Sequence, residues 1–211
     1  MITSRLRRRA ALAVLSLTAV LVPAAATEAA PAPAPAAAPT AAAAPAAAFK
    51  PGGCPVVADH LFAAADPVDL DRITPQPSYR ENCRQLYRAD GRGPATIFDE
   101  GFHARDIDHG QYDLEKYVLV NQPSPFVSTT YDHDLYKKWK SEFNYYIDAP
   151  GGIDVNKTIG DTHKYADQVE VAFPGGVDRK FIVGACPIDR ATKTEVMNEC
   201  VDNPHYKPWR S

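Results

Sequence analysis

The 211-residue sequence has no excess of positive charge. It carries 23 Lys and Arg against 26 Asp and Glu; residues 1–30 hold four of the arginines and one glutamate, which leaves 19 cations against 25 anions in the rest. A domain whose affinity comes from many duplex phosphates is basic. This balance excludes that class. Any nucleic-acid contact is expected to be local, weak and tolerant of salt. No pair of the four cysteines has C-x-x-C spacing, which argues against zinc. Asp132, His133 and Asp134 are adjacent in the chain and cannot all face one ion, so no metal is expected there either. The one long apolar run, Ala10 to Val22, is too short to span a bilayer comfortably.

That run follows Arg5, Arg7, Arg8 and Arg9 and precedes Ala24-Ala25-Ala26. Positive, apolar and small-residue regions in this order read as a secretory signal peptide over residues 1–26, by the general secretory route. No cysteine follows the run, so a lipoprotein anchor is not expected. Within residues 27–50, the stretch Ala29 to Ala48 is almost only Ala and Pro. Proline breaks the helix that alanine would form, and no large apolar side chain is available to bury, so this is read as an extended linker or pro-segment. The folded domain is then expected over 51–211, long enough for one sizeable core. The protein is expected to be extracellular and monomeric, with no membrane partner. Cys54, Cys83, Cys186 and Cys200 all lie in the domain, and an even count in an exported chain argues for two disulfides. Three pairings are possible. Cys54–Cys83 and Cys186–Cys200 are favoured because both close short loops at the domain's ends.

Along the domain, Val56–Ala65 reads as a short helix ended by Asp66-Pro67. Gln85–Asp90 reads as a strand running into the turn Asp90-Gly91-Arg92-Gly93-Pro94. Pro94–Glu100 reads as a helical turn or two with Gly101 at its C-cap. Tyr117–Val120 reads as a buried strand, Phe126–Thr130 as a hydroxyl-rich one. Leu135, Trp139 and Phe143 recur every four residues, so Asp134–Phe143 reads as helical with Trp139 in the core. Asn144–Ala149 reads as a strand and Asp154–Tyr165 as a polar loop. Ala166–Phe173 reads as the strand around which the domain is organised. It would set Gln168 and Glu170 side by side on one face, with Val169 and Val171 turned into the core. After the turn Pro174-Gly175-Gly176, Lys180–Cys186 is expected to return as its antiparallel hairpin partner.

Three separated features fall in a significant order: Arg88 at a strand end, Ser128-Thr129-Thr130 on a strand, and Gln168-Val169-Glu170. This resembles the Arg, Ser-Thr-Ser, Gln/Glu-x-Glu pattern of mono-ADP-ribosyltransferases of the cholera and C3 toxin class. Within that class it resembles the pierisin-like, scabin-like branch that modifies guanine. Tyr87-Arg88-Ala89-Asp90, Val120-Asn121-Gln122-Pro123-Ser124-Pro125, Tyr131-Asp132-His133-Asp134-Leu135-Tyr136 and Asn203-Pro204-His205-Tyr206 share in the resemblance, which covers essentially the whole domain.

The resemblance implies an α+β fold, with two roughly perpendicular, antiparallel-rich sheets, short helices and an NAD cleft between them. It implies transfer of ADP-ribose from NAD+ to guanine in DNA or in free guanine nucleosides and nucleotides, with NAD+ hydrolysis as a side reaction. NAD+ is then a substrate rather than a recycled cofactor, consistent with the lack of a Gly-x-Gly-x-x-Gly run. By the same resemblance Glu170 stabilises the oxocarbenium ion, Ser128 holds Glu170, and Arg88, with Ala89 and Asp90, holds the diphosphate. Gln168, flanked by Trp139 and Tyr165, orients the acceptor. Thr130 replaces the last Ser of the motif and keeps its hydroxyl. Tyr165 stands where the family pattern has Trp, which bears on acceptor stacking. An amide at Gln168 suits a neutral acceptor. It disfavours Arg, but does not separate guanine from an Asn side chain, the acceptor of C3-like enzymes.

Overall fold

The computed structural model describes residues 54–210. The expected signal peptide and Ala/Pro linker lie outside the described residues.

The sheet is antiparallel throughout, in the order β4-β5-β2-β1-β3-β6-β7, with β8 also on β6. In chain order its strands are β1 (Leu86–Asp90), β2 (Phe126–Thr130), β3 (Phe143–Ile147), β4 (Ile153–Asp154), β5 (Glu170–Pro174), β6 (Ile182–Asp189), β7 (Thr194–Glu195) and β8 (Val201–Asp202). Its two halves, β4-β5-β2 and β1-β3-β6, meet at one residue pair, Tyr87 opposite Thr130. Among the described residues three short α-helices accompany the sheet: α1 (Pro94–Glu100), α2 (Leu114–Val120) and α3 (Val155–Ile159). The α+β class and the antiparallel strand sets are as expected, and the two sets are continuous through that single pair.

Two apolar cores share β5. Val171 and Phe173 pack with Leu86, Ile97, Phe102, Tyr145, Ile147 and Phe181. Ala172, between them in sequence, packs on the opposite side with Leu114, Tyr117, Phe126, Ile153 and Val155. The side-chain period of two explains the division, and burial on both sides explains why this strand is apolar after its first residue. Gly176, at φ 89°, lies where a β-carbon would stand 1.9 Å from the Phe102 carbonyl oxygen, so only glycine lets the chain leave β5 here.

Several expected elements are absent or different. Val56–Ala65 is a turn: Phe62 and Ala64 donate to the carbonyls three residues back, and the Ala65 and Asp66 amides are drawn to the Gly175 carbonyl. Residues 117–120 belong to α2, not a strand. Asp113 caps this helix by accepting from the Lys116 amide at 3.0 Å, and Leu114, Tyr117 and Val118 form its buried stripe while Val120 is exposed. The apolar run hid that stripe. His133–Lys138 is a 3-10 helix, in which a four-residue repeat does not stay on one side; Trp139 is its exposed C-cap and Phe143 already lies in β3. Residues 154–165 include β4 and α3 rather than only loop. The expected β5–β6 hairpin does not form, because β2 and β4 occupy both edges of β5 and β6 crosses to β3. Both favoured disulfides are present, Cys54–Cys83 and Cys186–Cys200.

Candidate active site

The organising strand begins two residues later than its sequence suggests. Ala166–Gln168 is one 3-10 turn, Val169 adopts a left-handed conformation at φ 41°, and β5 starts at Glu170. Gln168 therefore leaves the strand, and Val169 is partly exposed instead of core. A β-branched residue in this conformation is strained. The strain is held in place by hydrogen bonds on either side. The Thr130 hydroxyl donates to the Gln168 carbonyl at 2.6 Å, and the Tyr131 amide donates to the Val169 carbonyl at 3.4 Å.

The three hydroxyls of β2 thus have separate tasks. Ser128 and Thr130 pair with Ala172 and Glu170, so Ser128 lies diagonally across from Glu170 on the same face of the sheet. Thr129, turned the other way, donates to the Val171 carbonyl at 2.8 Å and closes the ladder. Thr130 fixes the turn that carries Gln168.

Glu170 is buried at the mouth of β5, next to α2. The Tyr117 hydroxyl donates to its Oε1 at 3.2 Å. Burial raises the Glu170 carboxyl above its ordinary value, and the Ser128 and Tyr117 hydroxyls and the Arg88 charge pull it partly back. The Tyr117 phenol is pushed well up by burial and by the Glu170 charge, so it remains a donor.

Arg88 is held from two sides. Its Nη1 donates to the Ser128 carbonyl at 2.7 Å, while Nε and Nη2 donate to Asp90 Oδ2 at 3.2 and 3.1 Å. These bonds use three of the five guanidinium N–H groups and leave two for a ligand. Asp90 does not line the cleft. Burial would raise its carboxyl, but the Arg92 hydrogen bonds and the Arg88 charge bring it down to about 2. Both of its oxygens are taken by Arg88 and Arg92, so it braces the two guanidinium groups.

Arg88, Ala89, Ser128, Gln168 and Glu170 line one cleft of about 500 Å³. Trp139 and Tyr165, the aromatic residues named in the sequence, also line it. Tyr117 and Asn121, from α2 and its C-cap, line it as well and were not singled out in the sequence. The signal was there: Asp113 as a cap followed by apolar residues at positions 114, 117 and 118 describes a helix that would bring Tyr117 to the site. Among the described residues no group of three His, Cys, Asp or Glu side chains could hold a metal ion.

Residues 86–206, from the start of β1 to beyond β8, match the Scabin-like family. The chain belongs to the Scabin-like family. It is 70% identical over 158 residues to the guanine-specific ADP-ribosyl transferase of Streptomyces coelicolor, covering 74% of this chain and 78% of that one. It is 39% identical over 115 residues to pierisin of Pieris brassicae, covering 48% of this chain and only 14% of that much longer protein. Among solved structures it resembles scabin of Streptomyces scabies in complex with NADH, with TM-score 0.74 and 66% identity, over 75% of this chain and 97% of that one. The Scabin-like match begins at the first residue of β1 and so contains every residue that lines the cleft.

Proposed function

We propose that this protein transfers ADP-ribose from NAD+ to guanine, in DNA or in free guanine nucleosides and nucleotides, and hydrolyses NAD+ as a side reaction. The observation that carries this reading is the meeting of Arg88, Ser128, Gln168 and Glu170 in one cleft of a Scabin-like chain. The guanine-specific relative and the dinucleotide-bound scabin support the acceptor and the donor.

The two free N–H groups of Arg88 suit a diphosphate, which a guanidinium binds in bidentate fashion. The bond that breaks joins the ribose anomeric carbon to the nicotinamide nitrogen. Its electron pair leaves with nicotinamide, so positive charge develops on the ribose. Glu170 is a fixed carboxylate in a poorly solvated site. It stabilises that charge where water would have to reorganise, an effect on the order of 10²–10³ in rate. Ser128 and Tyr117 hold it ionised and oriented. The exocyclic amine of guanine then attacks the anomeric carbon and loses a proton, with the Gln168 amide positioning the neutral base. When water attacks instead, the product is free ADP-ribose. Export by residues 1–26, a linker over 27–50 and a monomeric catalytic domain over 51–211 complete the proposal; an oxidising exterior suits the two disulfides.

Mass spectrometry of parallel reactions with NAD+ and GMP, duplex DNA or a small GTPase tests the acceptor. Adducts on guanine that are absent with the Glu170→Ala variant are expected. Label on the GTPase alone would move the protein to the C3-like class.

A further inference from the structure

Glu195 is a buried carboxylate outside the site described above, and it is bonded to the cleft wall and to the residues directly behind it. Its side chain is 5% exposed. Oε1 accepts from Asn144 Nδ2 at 2.9 Å; Oε2 accepts from the Tyr146 hydroxyl at 2.8 Å and lies 3.0 Å from His133 Nε2. Burial and then the bond to Glu195 raise the Tyr146 phenol, which keeps it a donor. Asn144 itself lines the cleft. His133 opens the 3-10 helix that ends at Trp139, and the Asn144 amide also reaches the His133 carbonyl at 3.5 Å. Tyr87, another lining residue, packs edge-on against both His133 and Tyr146. One carboxylate therefore fastens the start of the Trp139 segment to the body of β3.

Glu195 reaches this wall from a distant part of the chain. It sits in β7, inside the loop that Cys186–Cys200 closes. β7 is only two residues long, Thr194–Glu195, and pairs with Ile188 and Asp189 of β6. Beyond it the chain returns as β8, which packs so closely on β6 that a β-carbon at Gly184 would meet the Val201 carbonyl oxygen at 2.7 Å. Two-residue strands do not hold a loop alone. The disulfide and the Gly184 approach tie the loop to the sheet, and Glu195 carries that tie to the cleft.

We propose that Glu195 is a positioning residue for the acceptor side of the cleft, and that the Cys186–Cys200 disulfide acts on acceptor binding through it. A side chain that fastens the Trp139 segment governs how well a flat base is held, and has less leverage on the bond-breaking step at Glu170. This rests on the reading of the Trp139 side as the acceptor side. Opening the disulfide frees the loop, withdraws the carboxylate and lets the His133–Trp139 segment loosen. Reducing conditions then weaken acceptor capture.

The test is steady-state transfer to GMP by the exported domain, varying GMP at saturating NAD+. Four forms are compared: wild type, Glu195→Gln, Cys186→Ser/Cys200→Ser with the other disulfide intact, and the combined variant. Glu195→Gln keeps the shape and removes the charge that the Asn144 and Tyr146 donors face. The expected result is a rise in KM for GMP of about tenfold in each variant, with kcat changed less than about twofold. The combined variant is expected to be no worse than either alone, because residues acting through one contact are not additive. Thermal melts read folding separately. If a variant does not fold, the wild-type KM for GMP is measured before and after mild reduction, with Glu195→Asp as the conservative replacement expected to regain part of the affinity. An unchanged KM, a loss confined to kcat, or additive effects would each overturn the proposal. A wild-type enzyme that modifies no guanine would instead sink the acceptor reading, and so is distinguished from failure here.

Discussion

Two carboxylates near Arg88, one behind the cleft wall and one in it, are held in opposite ways. On the β1 side, Asp90 lies between two guanidinium groups and is drawn down to about 2. On the β5 side, Glu170 has hydroxyl neighbours and a more distant Arg88, and burial raises it. Asp90 is placed to hold something else still. Glu170 is kept partly unsatisfied, so that a positive charge forming beside it gains most. A preorganised anion that lacks a full cation partner in the resting protein is what electrostatic catalysis requires, and it costs stability in a way the Asp90 network does not.

The difference has a sign in pH. Asp90, with a folded value below its ordinary 3.8, contributes stability that is present above about 4 and lost as pH falls through about 2, on the order of 2 kcal/mol. Glu170, with a folded value above its ordinary 4.5, favours the fold when protonated, and that contribution is lost as pH rises through its folded value. Glu170→Gln should therefore show the largest effect and the clearest contrast. Activity should fall by about 10²–10³, while the thermal midpoint at neutral pH should rise. Melting curves alongside NAD+ turnover check both, and a lowered midpoint would mean the ionised carboxylate is not held at a cost.

Arg88→Lys probes the other side. A lysine cannot bond Asp90, the Ser128 carbonyl and a diphosphate together. KM for NAD+ should rise roughly ten- to a hundredfold, which a titration of initial rates would show. Tyr117→Phe sharpens the comparison at Glu170. It removes one donor to the carboxylate, so activity should drop about tenfold and the acid limb of the pH–rate profile should move to higher pH. The smallest effect belongs to the turn. Val169→Gly trades left-handed strain for added chain entropy and should stabilise the fold by about 1 kcal/mol or less, read from denaturant midpoints.

What was legible in the sequence follows the same division. Arg88, Ser128 and Glu170 sit on or at the ends of regular strands, where the period of two fixes direction, and their meeting was anticipated. Gln168 was placed in the right cleft for the wrong local reason. The turn at Val169 depends on the Thr130 hydroxyl and the Tyr131 amide, which are distant in sequence and leave no periodic mark. Tyr117 was missed because an apolar tetrapeptide fits strand or helix equally, and only the cap at Asp113 decides. The β5–β6 hairpin failed because pairing is settled by which edges are free, a property of the whole sheet. Trp139 was read as core from a spacing of four that a 3-10 helix does not keep on one side, and it lines the cleft instead.

If Glu170 serves bond breaking and Gln168 serves the acceptor, breakdown of NAD+ and transfer to guanine can be separated. The decisive measurement follows free nicotinamide and ADP-ribosylated GMP in the same reaction, for wild type, Gln168→Ala and Glu170→Ala. Gln168→Ala should keep releasing nicotinamide while the guanine adduct falls away, and Glu170→Ala should lose both. Equal loss of nicotinamide release in the two variants would contradict the division, and unchanged release in Glu170→Ala would contradict the mechanism itself.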